Sequence, residues 1–342
     1  MNSIIINRYP PLTSIYHDTV DLYNSIQIPT QIVNLKFQRN GWEKPHMGED
    51  FDPLTKNRYI NHMTLKYNFR SVIKFIEKYP YDTIVTYSNQ FSGTLDIKRR
   101  PEVVFVHDSP FYLENAKTYD KLYVKLLYKK LSTKENIVVQ TSCLREDLKR
   151  FGFHYEPEVI HLSVSPTFRV LNMSKEEIRK QLGLPIDKLL ILSVSSSERR
   201  KNLDMVQRAI RSFGDQYRLV RVGPPLADSI NLQNIDNERL NMVYNASDIL
   251  LFPSLYEGFG LPIVEAFSAG LPVVSSDIPT IKEVAGNSAV LVNPKRIDKI
   301  INGIKYAKEN AEYLRAKGIE RSKFFNFDVF KGNIQMYFKR FF

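Results

Sequence analysis

Two carboxylates, Glu257 and Glu265, bracket the string Glu257-Gly-Phe-Gly-Leu-Pro-Ile-Val-Glu265, a glycine-bearing loop that runs into a helix. Unpaired N–H groups at the start of such a helix, and its dipole, favour an anion. Gly258 and Gly260 let backbone approach a phosphate without a Cβ clash. A diphosphate suits this place. Glu265, one turn into the helix, could accept from a vicinal diol such as a ribose, and Glu257 could reach hydroxyls of a transferred group. The spacing alone is met equally by a solvated loop glutamate followed by a carboxylate held at a helix start.

A second cluster, Ser-Ser-Glu-Arg-Arg-Lys-Asn over 196–202, follows the apolar run Leu189–Ser195. Arg200 and Lys201 thus stand at a strand end, where a guanidinium and an ammonium could neutralise a pyrophosphate and stabilise charge developing on it. A solvated basic turn would read the same way, and Arg199 is assigned to solvent. A third piece is Val103-Val-Phe-Val-His-Asp108, a short apolar strand that delivers His107 and Asp108 to a loop. A histidine there can bond a sugar hydroxyl, although a lone His-Asp pair is more often a local cap.

The elements that must position these residues follow from apolar runs and breakers. Asp248–Ser254 reads as a buried strand, Pro262 opens a helix that stops at Gly270, and Pro272–Ser276 reads as the next strand. Strand, loop, helix, strand is the unit of a parallel α/β sheet, whose ligands bind beyond the carboxyl ends of the strands. Further strands are read at Ile4–Ile6, Ile137–Ser142, Pro157–Ser163 and Leu219–Gly223. Helices are read at 203–213, 240–247 and, rich in aromatics, 325–342. Gln38 to Asn57 has no period and reads as a long loop holding Trp42 and His46.

The stretch SLYEGFGLPIVEAFSAGLPVVSSDIPTIKEVAG, Ser254 to Gly286, resembles almost position for position the E-x7-E segment of family 4 glycosyltransferases, retaining enzymes of the GT-B fold. A weaker resemblance runs from Val103 to about Pro294. It implies that Glu265 binds the ribose of the donor nucleotide, that Glu257 lies beside the donor sugar, and that the backbone of Gly258, Phe259, Gly260 and Leu261 contacts sugar and phosphate. It likewise implies pyrophosphate contacts for Arg200 and Lys201, and for His107 a hold on the reacting sugar. Three places depart from the family pattern. Ser196 stands where many members carry an arginine, Asn7-Arg-Tyr-Pro-Pro replaces a Gly-Gly turn, and Leu162-Ser-Val-Ser165 replaces an Asn-Gly-Val-Asp turn.

The expected architecture is therefore α/β of GT-B type, with two Rossmann-like parallel-sheet domains facing across a cleft. Residues 1–168 would be the acceptor domain and 169–324 the nucleotide-sugar domain, with the helix of 325–342 packing back onto the first. The implied reaction is transfer from a UDP- or GDP-sugar to a hydroxyl acceptor that is lipid-linked, a glycan or a protein glycan. Double displacement would need a carboxylate nucleophile at the anomeric carbon. Both motif glutamates are assigned to hydroxyls, so same-face attack is expected, without a cofactor and independent of metal. A nucleotide-sugar epimerase of GT-B type, or a nucleic-acid-binding or DNA-modifying protein, would be the alternatives.

Composition agrees with this reading. A chain of 342 residues exceeds one ordinary core, and 43% hydrophobic with 25% charged content is that of globular protein. Cys143 is the sole cysteine, so no disulfide forms within the chain. The N-terminal apolar run is too short for a signal peptide and no run reaches the ~20 residues of a spanning helix, so a cytoplasmic setting is expected. The net charge of +11 lacks the interleaved aromatics of a nucleic-acid stripe, and no nucleic-acid partner is expected. Lys117, Lys121, Lys125 and Lys129 fall at i+4 spacing opposite Tyr119, Leu122, Leu126 and Leu127. This basic amphipathic helix is either the solvated face of a core helix or a contact with the cytoplasmic membrane face.

Overall fold

The computed structural model describes residues 3–7, 30–34, 37–38, 41–42, 83–86, 102–111 and 118–341, with side chains over 102–111 and 124–341. The chain divides into two units, Met1–Ser163 with Asp328–Phe342, and Val164–Phe327.

The first unit holds β1 (Ser3–Asn7), β2 (Thr30–Asn34), β3 (Phe37–Gln38), β4 (Gly41–Trp42), β5 (Thr83–Thr86), β6 (Glu102–Val106), β7 (Asn136–Val139) and β8 (Glu158–Val159). Six of these make one sheet in the order β2-β1-β5-β6-β7-β8, every neighbouring pair parallel. Short β-branched runs form these strands. All five residues of β6 are buried, the continuous burial of a strand covered on both faces. β3 and β4 pair separately and antiparallel, Phe37 opposite Trp42, so a short ladder interrupts the expected loop of 38–57. His46 and the side chain of Trp42 lie outside the described residues.

Helix α1 (Thr118–Leu131) packs Val124, Leu127, Tyr128 and Leu131 against β6 and β7, while Lys125, Lys129 and Lys130 face out. One expectation is corrected here. Leu126, placed on the apolar side from sequence, is 59% exposed and stands among the lysines. Buried positions 124, 127, 128 and 131 follow the i, i+3, i+4, i+7 stripe of a packed helix, which leaves position 126 outside it. Lys117 and the side chain of Lys121 lie outside the described residues. Helix α2 (Ser142–Phe151) starts at Thr141, whose hydroxyl accepts from Leu144 N at 3.2 Å.

The second unit carries β9 (Leu189–Val194), β10 (Tyr217–Val222), β11 (Ser229–Leu232), β12 (Ile249–Phe252), β13 (Val273–Ser276) and β14 (Val290–Val292). Their order is β11-β10-β9-β12-β13-β14, again all parallel. The helices are α3 (Lys175–Leu182), α4 (Leu203–Arg211), α5 (Asn237–Ala246), α6 (Leu261–Ser268), α7 (Pro279–Ala285), α8 (Ile297–Glu309) and α9 (Ala311–Ser322). One core joins Ile191, Leu219, Ile249, Leu251 and Val274 of the sheet to Val206, Ile300 and Ile304 of α4 and α8. Asp248, read as a strand residue, precedes β12 and ties the amino-terminal edge together. Its carboxylate accepts from Leu190 N at 2.7 Å, Arg179 Nη2 at 2.6 Å and Lys175 Nζ at 2.8 Å. Helix α10 (Phe327–Phe338) buries Phe330, Ile334, Tyr337 and Phe338.

Candidate functional site

β9 and β12 are neighbours in the second sheet, so the segments leaving their carboxyl ends lie side by side. After β9 the chain makes a tight 3-10 turn at Arg199–Lys201. After β12 it runs through Pro253–Gly260 into α6. Asn202 fixes the first segment to the second. It adopts the left-handed conformation at φ 57°, which asparagine tolerates better than most side-chain-bearing residues, and its amide donates to Pro253 O at 3.0 Å and Pro294 O at 2.8 Å. Leu255 N donates to Arg200 O at 2.7 Å, a second tie between the loops.

These ties bring three predicted residues into one ion cluster. Glu257 accepts from Arg200 Nη1 at 3.0 Å and from Lys201 Nζ at 2.7 Å, with its side chain only 6% exposed. Arg200 Nε also donates to Glu198 at 2.6 Å. Lys201 Nζ sits 5.3 Å from the centre of the Phe252 ring, a cation–π contact that further fixes it. Sequence reasoning gave Glu257 to sugar hydroxyls and the cations to phosphate as separate contacts. The structure adds a contact between them, since Glu257 bonds both cations. Arg199 is exposed, as its assignment to solvent anticipates.

The loop enters α6 through Gly260 at φ 101°, a conformation that disfavours any side chain, and a Cβ there would lie 3.1 Å from Ile281 Cδ1. Leu261 and Pro262 then form the first turn, where the missing proline N–H is no loss. Phe259 turns inward, buried edge-on to Phe325 with ring centres 5.6 Å apart. Any ligand contact at Gly258–Leu261 is therefore left to Phe259 backbone and not to its ring.

Glu265 stands apart from the ion cluster, with Tyr244 as partner. The buried Tyr244 hydroxyl donates to Glu265 Oε2 at 2.6 Å. Part of Glu265 stays accessible, yet burial of its carboxyl pushes its pKa up to about 7, against the pull of the Tyr244 hydrogen bond. The same burial, with the Glu265 charge, pushes the Tyr244 hydroxyl well above its ordinary value. His107 lies half-buried just past β6 in the first unit. The Tyr128 hydroxyl of α1 donates to the next residue's carbonyl, Asp108 O, and so fixes the backbone there.

Sequence reasoning missed the contacts of Asn202 and Tyr244, the first tying the two loops together and the second bonding Glu265. Asn202 had a signal, an asparagine between a basic turn and a helix; Tyr244 had none. The sequence contains one Asp-x-Asp string, Asp50-Phe51-Asp52, within 38–57 and outside the described residues. The expectation of metal-independent transfer therefore rests on the family resemblance and not on the lack of such a string.

Comparison with solved structures defines the fold. Sucrose-phosphate synthase from Thermosynechococcus elongatus superposes with a TM-score of 0.84 at 18% identity, over 99% of this chain and 98% of its own. Anabaena Alr3699/HepE, solved with UDP-glucose, does so at 0.79 and 14%, over 99% and 100%. At such identities the likeness is one of fold, the α/β parallel-sheet fold of the GT-B glycosyltransferases.

Residues 174–323 match the family model Glycosyl transferases group 1. Among curated proteins, O-antigen chain mannosyltransferase B of Escherichia coli is 31% identical over 136 residues, 38% of this chain and 36% of its own length. O-antigen chain mannosyltransferase RfbU of Salmonella typhimurium is 27% identical over 215 residues, 57% of each chain. The alignments thus span between about a third and somewhat over half of these relatives.

Proposed function

We propose that the chain is a retaining glycosyltransferase that moves a hexose from a nucleotide sugar to a hydroxyl of a glycan acceptor. The observation that supports this most is the Glu257–Arg200–Lys201 cluster, held beside the loop that opens α6. Two oriented cations, charge-balanced by Glu257 and Glu198, and a helix amino terminus would offer N–H donors to a diphosphate. The acceptor oxygen forms its bond to the anomeric carbon on the face from which the diphosphate departs. As the bond from carbon to phosphate oxygen breaks, the leaving phosphate takes the acceptor's proton. Arg200, Lys201 and the Leu261 N–H that opens α6 would stabilise the charge left on it. Glu265 would hold the ribose, Glu257 would fix the cations and reach the sugar, and His107 would bind a hydroxyl of the reacting sugar.

The names of the relatives, O-antigen chain mannosyltransferases, support a hexose donor and a polysaccharide acceptor. A lipid-linked form of that acceptor is the finer reading. Lys125, Lys129 and Lys130, exposed beside Leu126, suit anionic head groups, each lysine adding roughly 1 kcal/mol. Transfer without a resident metal belongs to the same proposal. No helix among the described residues is long and apolar enough to cross a membrane.

The test is incubation with UDP- and GDP-hexoses and glycan acceptors, followed by NMR of the anomeric proton in the product. A product with the donor's anomeric configuration, lost in Lys201→Ala, is expected. An inverted product would overturn the retaining assignment, and sugar-nucleotide turnover with no acceptor need would point to an epimerase.

A further inference from the structure

Arg221, in β10, is the largest fully buried side chain of the described residues, at 0% exposure, and among them no carboxylate lies within ion-pair distance of it. Its partners are carbonyls. Nη1 donates to Ser193 O at 3.1 Å and Val222 O at 2.7 Å, while Nη2 donates to Ser195 O and, at 3.3 Å, to Ser196 O. Nε is buried without a partner. A buried cation with neither counter-ion nor complete hydrogen bonding is unfavourable on its own, and an apolar side chain of similar volume would fill the same space with less penalty.

Its position gives that charge a use. β10 pairs with β9 in register from Tyr217 opposite Leu189 to Val222 opposite Val194, so Arg221 lies near the carboxyl end of the sheet beside the exit of β9. The carbonyls of Ser195 and Ser196 that it holds open the segment carrying Arg200 and Lys201. Gly223, at φ 127°, keeps this contact open: a Cβ there would collide with Ser195 O and lie 2.8 Å from Arg221 Nη2. Burial lowers the guanidinium only to about 10, so it stays charged at neutral pH.

We propose that Arg221 is a positioning residue for the phosphate end of the nucleotide site, anchoring the β9 exit and supplying a fixed, buried positive charge behind it. This rests on the nucleotide-sugar reading above. In a poorly hydrated interior such a charge is weakly screened, so it favours a dianionic ligand at the same sheet edge without touching it. The binding anion in turn compensates the unpaired cation.

The experiment is calorimetric titration of UDP, GDP, uridine and guanosine into wild type, Arg221→Met and Arg221→Lys, with each fold checked by circular dichroism and thermal melting. Arg221→Met keeps volume and removes charge; Arg221→Lys keeps charge and loses the four-carbonyl grip. The expected result is that the preference for the diphosphate over its nucleoside falls at least tenfold in Arg221→Met and by less in Arg221→Lys, with nucleoside affinity unchanged. Equal weakening of diphosphate and nucleoside would reduce Arg221 to a packing role and overturn the proposal. Unchanged diphosphate preference in a folded Arg221→Met would do the same, with the nucleotide reading intact. If Arg221→Met does not fold, a diphosphate preference in Arg221→Lys equal to or below one tenth of wild type overturns the charge role. Absence of binding by folded wild type to every probe would overturn the nucleotide reading and this proposal together.

Discussion

Glu265 and Glu257 are held by different partners, a buried tyrosine hydroxyl for the one and two cations for the other. Burial raises the Glu265 carboxyl from 4.5 to about 7, so the folded chain binds its proton more tightly than the unfolded chain does. Its favourable contribution is full below pH 4.5 and is lost as pH rises through 7. Glu265→Gln should therefore gain stability relative to wild type between pH 5 and 8, by up to about 3 kcal/mol, read from urea unfolding at the two pH values. Parallel pH profiles would contradict this. A ribose diol donating to the carboxylate needs it ionised, so nucleotide binding at pH 6.5 should release protons. Titration in two buffers of different ionisation enthalpy measures that release, and its absence would remove Glu265 from the ribose. For Glu257, nearly buried between two cations, Lys201→Met should lower stability by about 2 kcal/mol, because it leaves the carboxylate short of a partner. Pairing it with Glu257→Gln should restore roughly 1 kcal/mol in a double-mutant cycle.

Among the elements, the short segments leaving β9 and β12 hold the proposed donor residues, and their shape depends on two left-handed residues. Gly260→Ala should destabilise the fold by about 1–2 kcal/mol through backbone strain alone, plus the approach to Ile281, measurable as a lowered midpoint of thermal unfolding. Asn202→Gly keeps the backbone conformation but drops both carbonyl ties. It should weaken diphosphate binding more than it lowers stability. The apolar runs that became β9, β12 and β13, and the Pro262 helix start, were legible because parallel strands are buried on both faces and read as unbroken apolar strings. The partnership of Glu257 with Arg200 and Lys201 was not, since it joins positions 56 and 57 residues apart through a loop tie that only Asn202 hints at. Leu126 was misplaced for a simpler reason, that a lysine ladder and an apolar stripe can be drawn at several phases on one short helix.

At the scale of the whole molecule, legibility divides between the two units. The second holds every predicted donor residue and coincides closely with the family match over residues 174–323. In the proposed site a single backbone loop would meet phosphate, ribose and sugar at once, which makes the offsets within the string Glu257–Glu265 legible. The first unit shares the parallel-sheet fold, but apart from His107 its candidate ligand contacts, Trp42 and His46 included, fall in 38–57, where sequence gives no period and side chains lie outside the described residues. Acceptor choice is a property of pocket shape, which composition and spacing do not encode. The central claim is that the β9 and β12 exits form a nucleotide-diphosphate site. Its most direct test is calorimetry of nucleoside diphosphates and sugar nucleotides against wild type, Glu265→Ala and Lys201→Ala. The account predicts that one base is preferred by wild type and that its binding falls at least tenfold in both variants. Binding that is unchanged in both, or absent across the panel in folded wild type, would contradict it.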